Sequence, residues 1–164
     1  MRITAATLYV WLLGLATLVL TASLIRYLAP LGTDVVALQL AFHPPNFGHI
    51  VHSWSPDELH RYRQHLPFAF ALALSYGTFG YLLATRTPFF TRLRLGWRRF
   101  AKWSLPLAAI SDAGANALHL WLTAAPRFGL PTVYATSAGL SLFKWGMLIG
   151  FALATIHALA KAAE

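Results

Sequence analysis

Two short polar stripes interrupt an otherwise apolar sequence. Asp112, Asn116 and His119 are spaced i, i+4, i+7, and Ser137, Ser141 and Lys144 repeat that spacing one apolar segment later. In a helix, such spacing puts each set on one face. Asp112 and Lys144 are the lone charges deep within their segments. A solitary charge at the centre of a bilayer costs at least about 2.5–3.5 kcal/mol, so the two are expected to pair. Their depths agree. Asp112 lies nine residues from Trp103, and Lys144 lies 13 residues beyond Pro131. At about 1.5 Å per residue these are about 14 and 20 Å from opposite boundaries, close to one level in a core about 30 Å thick. The chemistry open to such a pair is that of a proton site, a substrate site or a counter-ion. The plain alternative is an orientation lock between two helices. The expected polar site comprises Asp112, Asn116, His119, Ser141 and Lys144, with Asn116 and Ser141 as hydrogen-bond neighbours of the pair.

Histidine is the second source of chemistry. His43, His49, His52, His60 and His65 fall within 23 residues. His49 and His52, three apart, are the candidate metal ligands, because imidazole suits Zn, Cu or haem iron. The plain alternative is a solvated, mildly basic loop. There is no Cys and no HExxH motif, which excludes disulfides and thiolate metal sites. A haem held between helices needs histidines on facing helices; His119 and His157 sit near opposite sides of the membrane and cannot bracket one. The sequence specifies no cofactor. Asp57, Glu58 and His60 could do acid–base chemistry on lipid, but the two acids are already explained by a helix start. There is no nucleophile elbow and no pair of carboxylates at helical spacing, so the sequence leans away from an enzyme.

The elements that must position these residues follow from composition. The chain of 164 residues is 57% hydrophobic and 11% charged, with a mean hydropathy of +0.56. Soluble domains carry about a quarter charged residues, so an ordinary soluble domain and a disordered chain are both excluded. No glycine-rich phosphate motif is present, which argues against a nucleotide enzyme. Net charge is +8. In a membrane protein, basic residues hold cytoplasmic loops and meet anionic lipid, so no nucleic-acid partner is expected.

Four segments are apolar enough to read as spans of about 20 residues, placed at about 4–28, 67–86, 102–124 and 131–160. The fold class expected is an all-α integral membrane four-helix bundle forming one domain over residues 1–164. The segment 86–102 carries Arg86, Arg92, Arg94, Arg98, Arg99 and Lys102, six basic residues in 17. That places it, and both termini, on the cytoplasmic side. Phe89, Phe90, Trp97, Phe100 and Trp103 interleave with it as an interfacial anchor. Residues 29–66 then form a folded extracytoplasmic loop. Within it Val35–Phe42 is too short to span, and the run His43-Pro44-Pro45-Asn46-Phe47-Gly48 reads as a helix breaker. Ser55-Pro56-Asp57-Glu58 is a helix start with Ser at the N-cap, Pro at the first position and Glu at the third. The spacing predicts a short helix with Leu59, Tyr62 and Leu66 on one face, lying on the membrane surface. Pro67 then begins or kinks the second span. Gly146 and Gly150 form a GxxxG suited to packing within the bundle, and Gly77 and Gly80 do similar work beside Tyr76.

Leu59, Tyr62, Tyr76-Gly77, Asp112, Asn116 and Lys144-Trp145 together resemble a broad group of small bacterial four-helix membrane proteins. The resemblance covers about the last 110 residues. It implies a four-helix fold with a polar core, and no activity; the location expected for the chain is the bacterial cytoplasmic (inner) membrane. Where that group leads one to expect an acid beside the Asn this chain has Ala115, and it has none near Phe68–Phe70, so the shared polar site is reduced. The expected role is a non-catalytic accessory or assembly subunit of a larger membrane complex, with other membrane subunits as partners. The competing role is a small ligand-binding protein, carrier or enzyme built on Asp112, Asn116, His119 and Lys144. A dry contact around those residues favours the first role, and a ligand-sized cavity favours the second.

Overall fold

The computed structural model describes residues 5–125 and 127–163. Thr4, where the sequence places the start of the first span, lies outside the described residues, as do residues 1–3, Pro126 and Glu164. All regular structure among the described residues is helical: α1 (Ala5–Leu28), a 3-10 turn (Ala29–Leu31), α2 (Asp34–Gln39), α3 (Pro44–Ser53), α4 (Pro56–Arg86), α5 (Leu95–Leu122) and α6 (Pro131–Ala163). Three helical segments are long and apolar enough to cross a membrane: Thr7–Leu31, Pro56–Arg86 and Pro131–Ala163. α5 is of similar length, at 28 residues, but Arg98, Arg99, Lys102, Asp112, Asn116 and His119 are spread along it and leave no continuous stretch of spanning length as apolar as those of the other three.

The long helices pack in the order α1, α4, α5, α6, each antiparallel to the next, with the broadest contacts between α4 and α5 and between α5 and α6. α5 therefore sits between two neighbours. It buries Ser104, Ser111, Asp112, Asn116 and His119 as well as Leu105, Ala108 and Ala115. Its polar residues are sheltered by protein, which is the condition under which a membrane helix tolerates them. α1 is the opposite case. Among its residues of described burial it buries only Val10, Gly14, Thr17 and Leu24, a narrow stripe along one side. It rests on α4 and makes little contact with α6.

Small residues set the spacing of α4 and α5. A Cβ at Gly77 would lie 2.7 Å from Ala109 Cβ, and one at Gly80 would lie 2.6 Å from Leu105 Cβ. The GxxxG of α6 works by half: a Cβ at Gly150 would lie 2.5 Å from the Phe100 ring, whereas Gly146 faces open space.

The sequence-based helix boundaries need correction at three places. The helix start at Ser55 is present, with Glu58 N–H donating to Ser55 Oγ and Ser55 N–H donating to the Glu58 carboxylate. However, it opens one continuous helix of 31 residues with Pro67 inside it, so there is no separate surface helix. Tyr62, His65, Leu66 and Ala69 are buried on both sides of the proline. Packing across it offsets the lost backbone hydrogen bond, as in other spanning helices that contain proline. Second, Pro44-Pro45 begins a helix instead of breaking one. His43 is extended and the prolines occupy the first turn of α3, where their fixed φ is pre-organised and no N–H is needed. Third, α5 begins at Leu95, seven residues before the expected 102.

The segment between α1 and α4 is not spread on a surface. Leu31, Leu38, Phe47, Val51 and Trp54 form one apolar cluster with Tyr62, Leu66, Leu122 and Tyr134. α2 and α3 thus cap one end of the bundle. At the other end, residues 87–94 turn inward. Phe90 is 2% exposed and belongs to the core, while Trp97 and Trp103 are 42% and 50% exposed. Only the tryptophans fit the expected interfacial anchor. Arg86, Arg92, Arg94, Arg98 and Arg99 are exposed at this end. Lys102 lies over the rings of Tyr81 and Trp103, 5.4 and 5.2 Å from their centroids.

Candidate functional site

The two polar stripes meet. Lys144 Nζ donates to Asp112 Oδ1 at 3.0 Å, and both side chains are almost fully buried. Antiparallel packing of α5 on α6 brings the stripes into register, and the depth argument from sequence is matched by this contact. Asn116 Nδ2 donates to the same carboxylate oxygen at 3.3 Å. The other oxygen accepts from Tyr76 Oη at 3.2 Å. Lys144 Nζ also donates to Gln39 Oε1 at 3.1 Å, and Trp145 Nε1 donates to the same oxygen at 3.2 Å. The carboxylate thus accepts three hydrogen bonds, and four elements contribute: α2, α4, α5 and α6.

The pair is not sealed. A cavity of about 440 Å³ reaches it. Asp112, Asn116, Lys144, Gln39 and His65 line the part nearer the α2–α3 cap, and Tyr76 lies beside them. Phe79, Leu105, Leu148 and Phe151 line the part nearer the basic end, with Thr17 and Leu24 of α1 along one side. α1 and α6 both wall the cavity yet scarcely touch, so it opens sideways between them. One end is polar and the other apolar.

The remaining two residues of the expected site lie elsewhere. His119 is 1% exposed and Ser141 fully buried, and neither lines the cavity. His119 Nδ1 shares a hydrogen bond of 2.7 Å with Tyr62 Oη, beneath the ring of Phe47. Ser141 is not a hydrogen-bond neighbour of the ion pair: its Oγ has no partner, like Ser137 Oγ and His119 Nε2. The expected single site therefore splits into a cluster on the cavity and a closed seam nearer the cap.

His49 and His52 share α3 but are not joined by a third ligand. His52 Nδ1 bonds the Gly48 carbonyl at 2.6 Å. Among the described residues no group of three His, Asp or Glu side chains is placed to hold a metal ion.

Sequence reasoning missed Gln39, the place of His65 on the cavity and the role of Tyr76. Tyr76 and His65 share α4's buried face with Ala69, Ala73, Gly77 and Gly80. A row of small residues interrupted by a polar aromatic was a usable signal. Gln39 sits at the end of a six-residue helix and carried no signal of its partner 105 positions away.

No protein-family model, no curated protein and no solved structure matches the chain significantly.

Proposed function

We propose that this protein is a membrane-embedded binding protein for an amphiphile, holding the polar part of its ligand at Asp112, Asn116 and Lys144. The carrying observation is the cavity of about 440 Å³ that reaches a buried ion pair and opens between α1 and α6, two helices long and apolar enough to cross a membrane. A pure orientation lock needs no such space. Ligand pockets run from about 300 Å³ upward and are mostly apolar with a few placed polar groups, and this one has that composition.

Purification in mild detergent followed by native mass spectrometry tests the reading. We expect one amphiphile per chain, lost when Ala69→Phe fills the cavity wall. Retention of the amphiphile by that variant, or recovery of wild-type protein with detergent alone, overturns it. Recovery with a stoichiometric second polypeptide and no ligand supports the role expected from sequence, a non-catalytic accessory subunit. The feature favouring that second role is α1, which packs on one neighbour and leaves room for a foreign helix against α6.

In the proposed topology α5 is a fourth span, sheltered between α4 and α6, in the cytoplasmic membrane of a bacterium. The basic end faces the cytoplasm, where Arg92, Arg94, Arg98 and Arg99 meet anionic lipid, and the α2–α3 cap faces outward. The chain contains no Cys, so single-Cys variants report cleanly. We expect external thiol labelling at Ser53→Cys and none at Arg94→Cys; the reverse pattern overturns the orientation.

A further inference from the structure

The hydrogen-bond inventory of the cavity narrows what it can hold. The two charges cancel: Asp112 and Lys144 are 3.0 Å apart. An anionic head would meet Asp112 as well as Lys144, and a cationic head would meet Lys144 as well as Asp112. Either would enter a poorly solvated site without a counter-charge of its own, which is costly. An uncharged head is therefore favoured.

The unused groups say what that head must offer. Lys144 spends two of its three N–H donors on Asp112 and Gln39, and otherwise meets the Trp145 ring, 5.1 Å from its centroid. Gln39 Oε1 accepts from both Lys144 and Trp145, leaving its amide N–H groups to donate. Asn116 spends one N–H on Asp112, leaving its carbonyl to accept. His65, 5% exposed, has Nδ1 against the Tyr62 carbonyl. A carbonyl only accepts, so Nδ1 carries the proton and Nε2 is the acceptor of the neutral ring. All four residues line the cavity. The site thus presents donors from Gln39 and acceptors from Asn116 and His65, with no net charge. A carbonyl oxygen answers the donors, and a hydroxyl answers donors and acceptors alike.

The walls add shape. Tyr76, Phe79, Trp145 and Phe151 line the cavity, and aromatic faces favour a flat ring by offset or edge contact. The apolar end and the sideways opening suit a hydrocarbon chain continuing into lipid.

From these observations we infer that the ligand is an uncharged ring bearing carbonyl or hydroxyl oxygens on an apolar chain, the chemistry of membrane quinones and quinols. The oxygens lie among Gln39, His65, Asn116 and Lys144, the ring lies against Trp145 and Tyr76, and the chain leaves between α1 and α6. The inference rests on the amphiphile-binding reading and goes further in naming the head.

The test is equilibrium binding to the full chain in detergent micelles. The probes are decylubiquinone, its reduced quinol, oleate, dodecylamine and dodecanol. We expect saturable binding of the quinone or quinol at one per chain, about tenfold or more tighter than any other probe, the worth of one to two net hydrogen bonds. Gln39→Leu should weaken it by about tenfold on the same scale, and Ala69→Phe should abolish it. Helix content by circular dichroism and the melting temperature verify that both variants fold, a necessary check because Gln39→Leu also removes the acceptor of Lys144 and Trp145. If oleate, dodecylamine or dodecanol binds at least as tightly as the quinone and is displaced by Ala69→Phe, the head assignment falls while the amphiphile site stands. If no probe saturates, or binding survives both folded variants unchanged, both readings fall.

Discussion

Two buried polar clusters lie next to each other on the same helix pair and are treated in opposite ways. Around Asp112 and Lys144 the charged atoms are bonded several times over, by Asn116, Tyr76 and Gln39. One to two turns toward the cap, His119 Nε2, Ser137 Oγ and Ser141 Oγ have no partner at all. The difference follows from magnitude. An uncompensated buried charge costs about 3–5 kcal/mol, whereas an unmet neutral group costs about 1–3 kcal/mol. A domain stable by only about 5–15 kcal/mol can carry the second kind of defect and not the first. The charge pair therefore recruits partners from four elements, and the seam is left to pack tightly with hydroxyls where alanine would also fit.

The sharpest way to break this comparison is to cut the pair. Lys144→Met should destabilise the protein by about 3–5 kcal/mol, because Asp112 is left buried and charged. Asp112→Leu with Lys144→Met should recover much of that loss, less a part for Tyr76, Asn116 and Gln39, which lose their partner. Unfolding in mixed micelles reads the cycle. A double variant no more stable than Lys144→Met would mean that the two charges do not act as a unit. The same double variant should bind no amphiphile even where stability returns, which separates a site from a lock.

A smaller effect sharpens the other side. Ser137→Ala and Ser141→Ala should each change stability by no more than about 0.5 kcal/mol, with a gain as the expected sign, since an unpartnered buried hydroxyl gives nothing back for its desolvation. A loss above about 1 kcal/mol in either variant would show that the hydroxyl is bonded in the folded protein, and the contrast between the clusters would collapse.

Much of the polar core was legible in the sequence because a charge inside an apolar run has few solutions. Asp112 and Lys144 demanded each other, and their positions along two segments set the register. Gly77 and Gly80 marked the face on which α4 meets α5. The start of α4 was legible as well, since Ser55, Pro56 and Glu58 each act on their own local backbone. The rest depended on contacts that leave no local trace. Pro67 read as a boundary because its cost is local, whereas the burial of Tyr62 and Leu66 that offsets it is tertiary. α2 and α3 read as a surface loop because short apolar runs do not reveal what they cover. The cavity was invisible because it arises from the narrow seat of α1 on α4, a matter of how helices are spaced and not of which residues they carry. α5 shows the same limit from the other side: the long helix without an apolar stretch of spanning length is the one packed between two neighbours.

The basic end holds one contact with a bearing on how the protein is made. Arg92 donates through one guanidinium nitrogen to the backbone carbonyls of Lys161 and Ala162, at 3.0 and 3.1 Å. These are among the last carbonyls of α6, groups that a helix end leaves without internal partners, and a cation there also suits the helix dipole. Arg92 leaves the ribosome some seventy residues earlier than its acceptors. During synthesis α1, α4 and α5 can assemble while the basic loop still lacks this anchor. The clasp closes only when the last turn of α6 has emerged and docked, so it joins two segments made far apart in time, and a nascent chain that stops short of Lys161 lacks it.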